Sequence, residues 1–337
     1  MTEFNLLPAY QHTLSSMPRG LDNNEVITNN CNRPSKIVTV NWNLDCLICD
    51  CDGWLPIPVG KVSDFDRLED VWNSDIAKTL QKDVADKKFT WCAVKHCGIG
   101  TRNIIEPKYK IYINTDESCN LACPSCRANS IMITTGAVFE SKLNATNKII
   151  SWLENFPHPI HIVLSGNGDP LASNIIRPLI KNYKPKLGQT FRLFTNGLLM
   201  KKQLTDSDLL PFITEFSISV DAGSKQVYED VRRPGKWEVL LENLDFIKNK
   251  RGWLNFVVQK NNYLDLYNFA ELCKKYKFKG MITRLDDWAS WNNQFHVHEV
   301  LNKSHPEHKQ CIDILKDLST NPNVMFSPIL KDILTNE

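Results

Sequence analysis

The stretch Cys119-Asn-Leu-Ala-Cys123-Pro-Ser-Cys126 constrains this chain more than any other, because it sets three thiols close behind an apolar, alternating run at 109–115. On a loop leaving a strand, thiols separated by three and then two residues can turn their sulfurs towards one point, as an iron-sulfur cluster requires. Three ligands leave one iron of a cubane without a protein donor, open to a small molecule. A structural zinc site is the alternative. Such sites are closed by four ligands, usually as two short-spaced pairs, and no second pair lies close by in the sequence.

The rest of the chain narrows the class. Eleven Cys in 337 residues would suit a disulfide framework only in a short secreted chain. The start, Met-Thr-Glu-Phe-Asn, has no basic-then-apolar signal pattern, so the thiols are expected reduced and the protein cytoplasmic. No apolar run is long enough to span a membrane. A net charge of +2 with scattered basic residues gives no sign of a nucleic-acid surface.

Residues 1–30 are polar and aperiodic and read as an irregular arm. Residues 31–100 differ, since Cys31, Cys46, Cys49, Cys51, Cys92 and Cys97 fall there, around a turn at Cys51-Asp52-Gly53. An apolar run at 37–42 reads as a strand. Leu68, Val71, Trp72, Ile76 and Leu80 share the face of one helix. So small a unit buries little surface, and a metal is its expected staple; a zinc ribbon or plain buried thiols remain the alternatives.

From 101 to 290, strand-like runs at 109–115, 160–166, 191–197, 215–222, 253–260 and 279–288 alternate with amphipathic segments. That is the pattern of an α/β fold, a partial (β/α)6 barrel with its chemistry at the carboxyl ends of the strands. Residues 291–337 read as a helical extension. The second run ends Ser165-Gly-Asn-Gly-Asp169, the third Phe194-Thr-Asn-Gly197, and the fourth Ser217-Ile-Ser-Val-Asp221, with Arg232-Arg-Pro-Gly235 downstream and Gln259 closing the fifth. Taken singly, each is only a turn signal or a solvated charge.

In this order the motifs resemble the radical S-adenosylmethionine (SAM) superfamily. The resemblance implies a 4Fe-4S cluster on Cys119, Cys123 and Cys126 whose open iron chelates SAM. Reductive cleavage of SAM would give a 5′-deoxyadenosyl radical that abstracts a substrate hydrogen. It further implies that Gly166, Asn167, Gly168 and Asp169 hold the methionine amino group, with Thr195 and Asn196 beside it. Ser219 and Asp221 would bind the ribose, Arg232 the carboxylate, and Gln259 would line the adenine and substrate pocket. This chain departs from the family in having Ser125 where an aromatic residue is usual, Asn167 between the glycines, and Asp169 in place of Glu. No catalytic residue beyond the cluster is implied.

The cysteine-rich segment resembles the SPASM or twitch modules of such enzymes, here placed ahead of the barrel. That likeness implies one auxiliary 4Fe-4S cluster on Cys31, Cys51, Cys92 and Cys97, with Cys49 or Cys46 as alternates. The expected activity is oxidation or crosslinking of a peptide, or oxidation of a small molecule, with a flavodoxin or ferredoxin as electron donor. The alternatives are a rearrangement or group transfer on a sugar or nucleotide, and a metal-stabilised binding protein without turnover.

Overall fold

Strands form where apolar residues alternate or run unbroken, and the computed structural model shows one at each of the six expected places in the core. It describes residues 19–22, 25–50, 55–288, 290–291 and 294–337, without the side chains of 95 and 96. Cys51 and most of the amino-terminal arm lie outside the described residues. The described chain is mixed α/β and divides into two compact units.

The first unit comprises 1–117, 133–168 and 173–191. It holds β1 (Ile37–Val40), β2 (Asp45–Leu47), β3 (Gly60–Lys61), α1 (Leu68–Asn73), α2 (Asp75–Ala85), α3 (Val94–Cys97), β4 (Tyr109–Ile113), α4 (Gly136–Asn155), β5 (Ile160–Leu164) and α5 (Arg177–Lys181). Its sheet runs β5-β4-β1-β2-β3. β1 lies parallel to β4, Ile37 facing Lys110 and Val40 facing Ile113, and β4 lies parallel to β5. β1 is buried along its whole length, as expected of an unbroken Ile-Val-Thr-Val run flanked by other elements.

The helix expected across Leu68 to Leu80 is in fact two. Ser74 adopts extended backbone and accepts a hydrogen bond from the Ala77 N–H at 3.3 Å. It caps α2 at the point where α1 ends, a hydroxyl satisfying an orphan donor of the helix start. Periodicity alone carries straight through such a break.

β6 (Gln189–Thr195) leads from the first unit into the second, which comprises 118–132, 169–172 and 192–337. The second holds α6 (Met200–Leu204), β7 (Ile213–Ser219), α7 (Lys225–Val231), α8 (Trp237–Phe246), β8 (Gly252–Val258), α9 (Leu266–Tyr276), β9 (Lys279–Arg284), α10 (Phe295–His298), α11 (His308–Leu318), β10 (Val324–Phe326) and α12 (Pro328–Thr335). β7, β8, β9 and β10 pair in that order, all parallel. Cys273 and Cys311 are fully buried on α9 and α11, as small apolar groups. No helix among the described residues is long and apolar enough to cross a membrane.

Candidate functional site

The cysteine loop is tied at three points. The Cys119 N–H donates to Ile131 O at 2.8 Å, and the Ala122 N–H to Arg233 O at 2.7 Å. Both the Cys126 and the Arg127 N–H donate to Cys123 O, which winds the last three residues into a turn. Cys123 is buried, Cys119 half-buried and Cys126 exposed.

Each of the three sulfurs is met by a nitrogen donor. Asn196 Nδ2 lies 3.9 Å from Cys119 Sγ, Arg232 Nη1 lies 3.7 Å from Cys123 Sγ, and Arg127 Nε lies 3.5 Å from Cys126 Sγ. Burial pushes the Cys119 thiol up to about 11, against a smaller downward pull from the Leu121 N–H. Burial also raises Cys123, against the lowering effect of the Arg232 charge. Iron takes thiolates and displaces their protons, so donors already aimed at the sulfurs favour the ligating form.

Around the loop, two buried carboxylates are committed to protein partners. Asp169 accepts from the Leu171 N–H at 2.9 Å on one oxygen, and from Thr195 Oγ1 at 2.8 Å and the Asn196 N–H at 2.6 Å on the other. Its own N–H donates to Ser118 O. Asp169 thus braces the 195–197 turn and the base of the cysteine loop, and Asn196 spends its amide on Asn120 Oδ1 at 2.9 Å. Gly197 must be glycine there. Its φ is +85°, and a Cβ would meet Ile218 Cγ2 at 2.9 Å and Leu240 Cδ1 at 3.0 Å.

Asp221 stands just past β7 with φ +56°, a left-handed conformation uncommon outside glycine. The turn breaks the alternation that would have put it on the face of Ser217 and Ser219. Its carboxylate receives Arg232 Nη2 at 2.8 Å and the Val257 N–H at 2.8 Å, while Asn262 Nδ2 holds its carbonyl. Gln259 sits on the same Asn262, its N–H donating to the Asn262 side chain. Ser219 ends β7, half-buried, while Gly166, Asn167 and Gly168 belong to the first unit and Asp169 to the second.

Among the buried polar atoms of the second unit without a hydrogen-bond partner are Arg232 Nε, Tyr228 Oη and Gln259 Nε2. Buried orphans of this kind are rare and call for a ligand or water. Sequence reading passed over Tyr228, fully buried on α7, because an aromatic on a helix reads as core. Its electrostatic neighbours, Arg232, Cys123, Asp221 and Asp169, mark it as part of this site.

In the first unit a second set of thiols converges. Cys31, Cys49, Cys92 and Cys97 line one small pocket with Arg33, Pro34, Leu55, Phe89 and Ile104. Cys46 is apart from it, fully buried on β2 opposite Val40. Burial pushes Cys31, Cys92 and Cys97 up; Cys97 and Cys31 add to the rise at Cys92, and the Arg33 charge pulls Cys31 and Cys97 back down. Arg33 is itself held by Asp50 at 3.0 Å and Glu106 at 3.4 Å. Among the described residues no three Cys, His, Asp or Glu side chains are grouped tightly enough to share a single metal ion. The ligand sulfurs of a four-iron cubane stand farther apart than the ligands of one ion.

A family model described as the radical SAM superfamily matches residues 113–279, from the last residue of β4 to the first of β9. That segment contains the whole cysteine loop together with Asp169, Asp221, Arg232 and Gln259. The chain belongs to the radical SAM superfamily. Membership in this enzyme superfamily implies a 4Fe-4S cluster and SAM. The residues present fit both: three cysteines for a cubane with one open iron, and unpartnered buried donors beside them.

An AdoMet-dependent heme synthase from Oleidesulfovibrio alaskensis is 28% identical over 160 residues, 47% of this chain and 40% of that protein. Streptococcus suis SuiB, solved with its precursor peptide SuiA, is 15% identical over 78% of this chain and 55% of that one, with a TM-score of 0.42. A spore photoproduct lyase variant is 9% identical over 65% of this chain and 83% of that one, also with a TM-score of 0.42. The radical SAM chain thus spans two-fifths of the length of the heme synthase it matches.

Proposed function

We propose that this protein is a radical SAM enzyme that holds its catalytic 4Fe-4S cluster on Cys119, Cys123 and Cys126 and carries an auxiliary cluster in its 31–100 module. The cluster and SAM supply reductive cleavage to a 5′-deoxyadenosyl radical; the protein's residues bind, orient and exclude water. The observation that carries this reading is the placement of Arg232 between Cys123 and Asp221 inside the segment matched by the family.

In this reading Arg232 keeps its hold on Asp221 and turns its unpartnered Nε to the SAM carboxylate. Tyr228 and Gln259 supply two further buried donors. Ser219 and Asp221 face the ribose. Asp169, already taking three hydrogen bonds, fixes the Thr195-Asn196 turn rather than serving as the main partner of the ammonium.

For the auxiliary cluster the four thiols lining one pocket favour Cys31, Cys49, Cys92 and Cys97 as ligands. The gap among them measures about 20 Å³. That holds a water and is less than a cubane fills, so cluster entry must spread the four side chains. Arg33 beside them offsets the negative charge of four thiolates. The substrate class that goes with such a module is a peptide or a small molecule to be oxidised, with a flavodoxin or ferredoxin supplying electrons to the SAM cluster.

Anaerobic reconstitution tests the reading. Two clusters give about eight iron and eight sulfide per chain, and dithionite with SAM then yields 5′-deoxyadenosine. Zinc in place of iron, or no cleavage of SAM under any reducing condition, would mean a metal-stabilised binding protein instead.

A further inference from the structure

Cys126 is the exposed thiol of the cysteine loop, and a sulfur in water ordinarily takes its hydrogen bonds from solvent. Here a side chain stands in. Arg127 Nε lies 3.5 Å from Cys126 Sγ, closer than the side-chain nitrogens at Cys123 (3.7 Å) and Cys119 (3.9 Å). The two residues are neighbours in sequence, so the contact exists because the chain folds back on itself. The Cys126 and Arg127 N–H groups donate to Cys123 O at 2.9 and 3.0 Å, and that turn brings the guanidinium back towards the sulfur it follows.

The donors at the other two sulfurs are committed elsewhere. Arg232 divides its charge between Cys123 and the Asp221 carboxylate, which lies 2.8 Å from its Nη2. Asn196 brings no charge, and its amide also donates to Asn120 Oδ1 at 2.9 Å. Arg127 is half-buried, and after burial the groups that act most on its guanidinium are the three thiols, Cys126 first, then Cys119 and Cys123. It therefore brings a positive charge that reaches all three ligands.

Hydrogen bonds to the ligand sulfurs, net charge and solvent exposure set the potential of an iron-sulfur centre. In the reduction, one electron passes from flavodoxin or ferredoxin, which is oxidised; no bond is made or broken, and the added negative charge spreads onto the sulfurs. A guanidinium held beside them stabilises the reduced form more than the oxidised one. Water could replace the hydrogen bond but not the charge. We infer that Arg127, acting through Cys126, raises the reduction potential of the catalytic cluster and so sets how readily the electron that cleaves SAM is delivered. This rests on Cys119, Cys123 and Cys126 being the ligands of that cluster.

Potentiometric titration of the anaerobically reconstituted full chain, followed by electron paramagnetic resonance, tests the inference without turnover. The catalytic cluster is the signal that SAM alters, because it has the open iron; the signal of the 31–100 module is the internal reference. Arg127→Ala should lower the ratio of reduced to oxidised catalytic cluster about tenfold at fixed potential, a shift of about 59 mV for one electron, and leave the reference in place. Tenfold is near the lower end of what a hydrogen bond to a charged group is worth, as suits a half-exposed pair. Arg127→Lys keeps the charge and should recover most of the shift, whereas Arg127→Gln keeps a donor without the charge and should not. A merely structural role would lower iron content or melting temperature without moving the potential of the clusters that remain. An unchanged or higher potential in Arg127→Ala, equal shifts of both signals, or a wild-type potential in Arg127→Gln would overturn the assignment. Where Arg127→Ala binds too little iron to titrate, the Lys and Gln variants make the same comparison. A wild-type chain with no signal that responds to SAM would overturn this inference and the proposed function together; a SAM-responsive cluster indifferent to Arg127 overturns the inference alone.

Discussion

Arg232 joins Asp221 to Cys123: one guanidinium nitrogen lies 2.8 Å from the carboxylate and the other 3.7 Å from the sulfur. Neither partner is in water, since Asp221 is 3% exposed and Cys123 5%. Burial raises the Asp221 carboxyl, and Arg232 acts against that rise. The arginine is thus the counter-charge that lets both groups be buried.

Removing it alone should be expensive. Arg232→Met leaves Asp221 as a buried, uncompensated carboxylate and should lower stability by about 3–5 kcal/mol. Adding Asp221→Asn removes the stranded charge and should recover a large part of that loss. Urea unfolding of both single variants and the double variant, under argon, gives the coupling; strictly additive effects would show that the pair is not a unit.

The two sets of thiols should separate by function. Cys123→Ala is expected to abolish 5′-deoxyadenosine formation. Cys92→Ala should leave some cleavage uncoupled from product while iron falls by about half, as expected when one of two four-iron clusters is lost. Equal loss of cleavage in two well-folded variants would count against distinct roles.

The fourth ligand in the 31–100 module is decided by comparing Cys49→Ser with Cys51→Ser. The pocket contains Cys49, so Cys49→Ser should cost the auxiliary iron and Cys51→Ser should keep it. Iron and sulfide analysis with Mössbauer spectra reads the difference, and the opposite pattern would return Cys51 to the ligand set.

Gly197→Ala should destabilise the protein by roughly 1–3 kcal/mol, through a left-handed backbone and a Cβ pressed on Ile218 and Leu240. Because Thr195 and Asn196 are bonded to Asp169 in the same turn, SAM affinity should fall with it. Denaturation and equilibrium dialysis measure the two effects.

What the sequence carried to the fold was periodicity, and what it lacked was direction. All six core strands stand at the expected places because alternation and apolar runs survive in one dimension. β10 escaped notice, since Val324-Met-Phe326 is three residues long and shows no pattern of its own. The break at Ser74 was hidden because apolar spacing runs on through a helix cap. Among the cysteines, spacing alone could not tell Cys46 from Cys49. That choice depends on the hairpin of β1 and β2, which sends one sulfur into the core and the other to the pocket. Arg232 and Asp221 were each visible as polar residues near strand ends, but a bond across eleven residues of helix and turn leaves no periodic trace.

β1 lies in register beside β4, the strand that leads to the cysteine loop. A module attached by a tether could be cut away and leave its neighbour whole. Here excision of residues 31–100 would strip β4 of a partner and lay bare a row of amide and carbonyl groups ready to pair with another molecule. The amino-terminal cysteines and the strand that leads to Cys119 are therefore bound to a common fate during folding: a chain that loses the one through truncation is expected to aggregate before it can use the other.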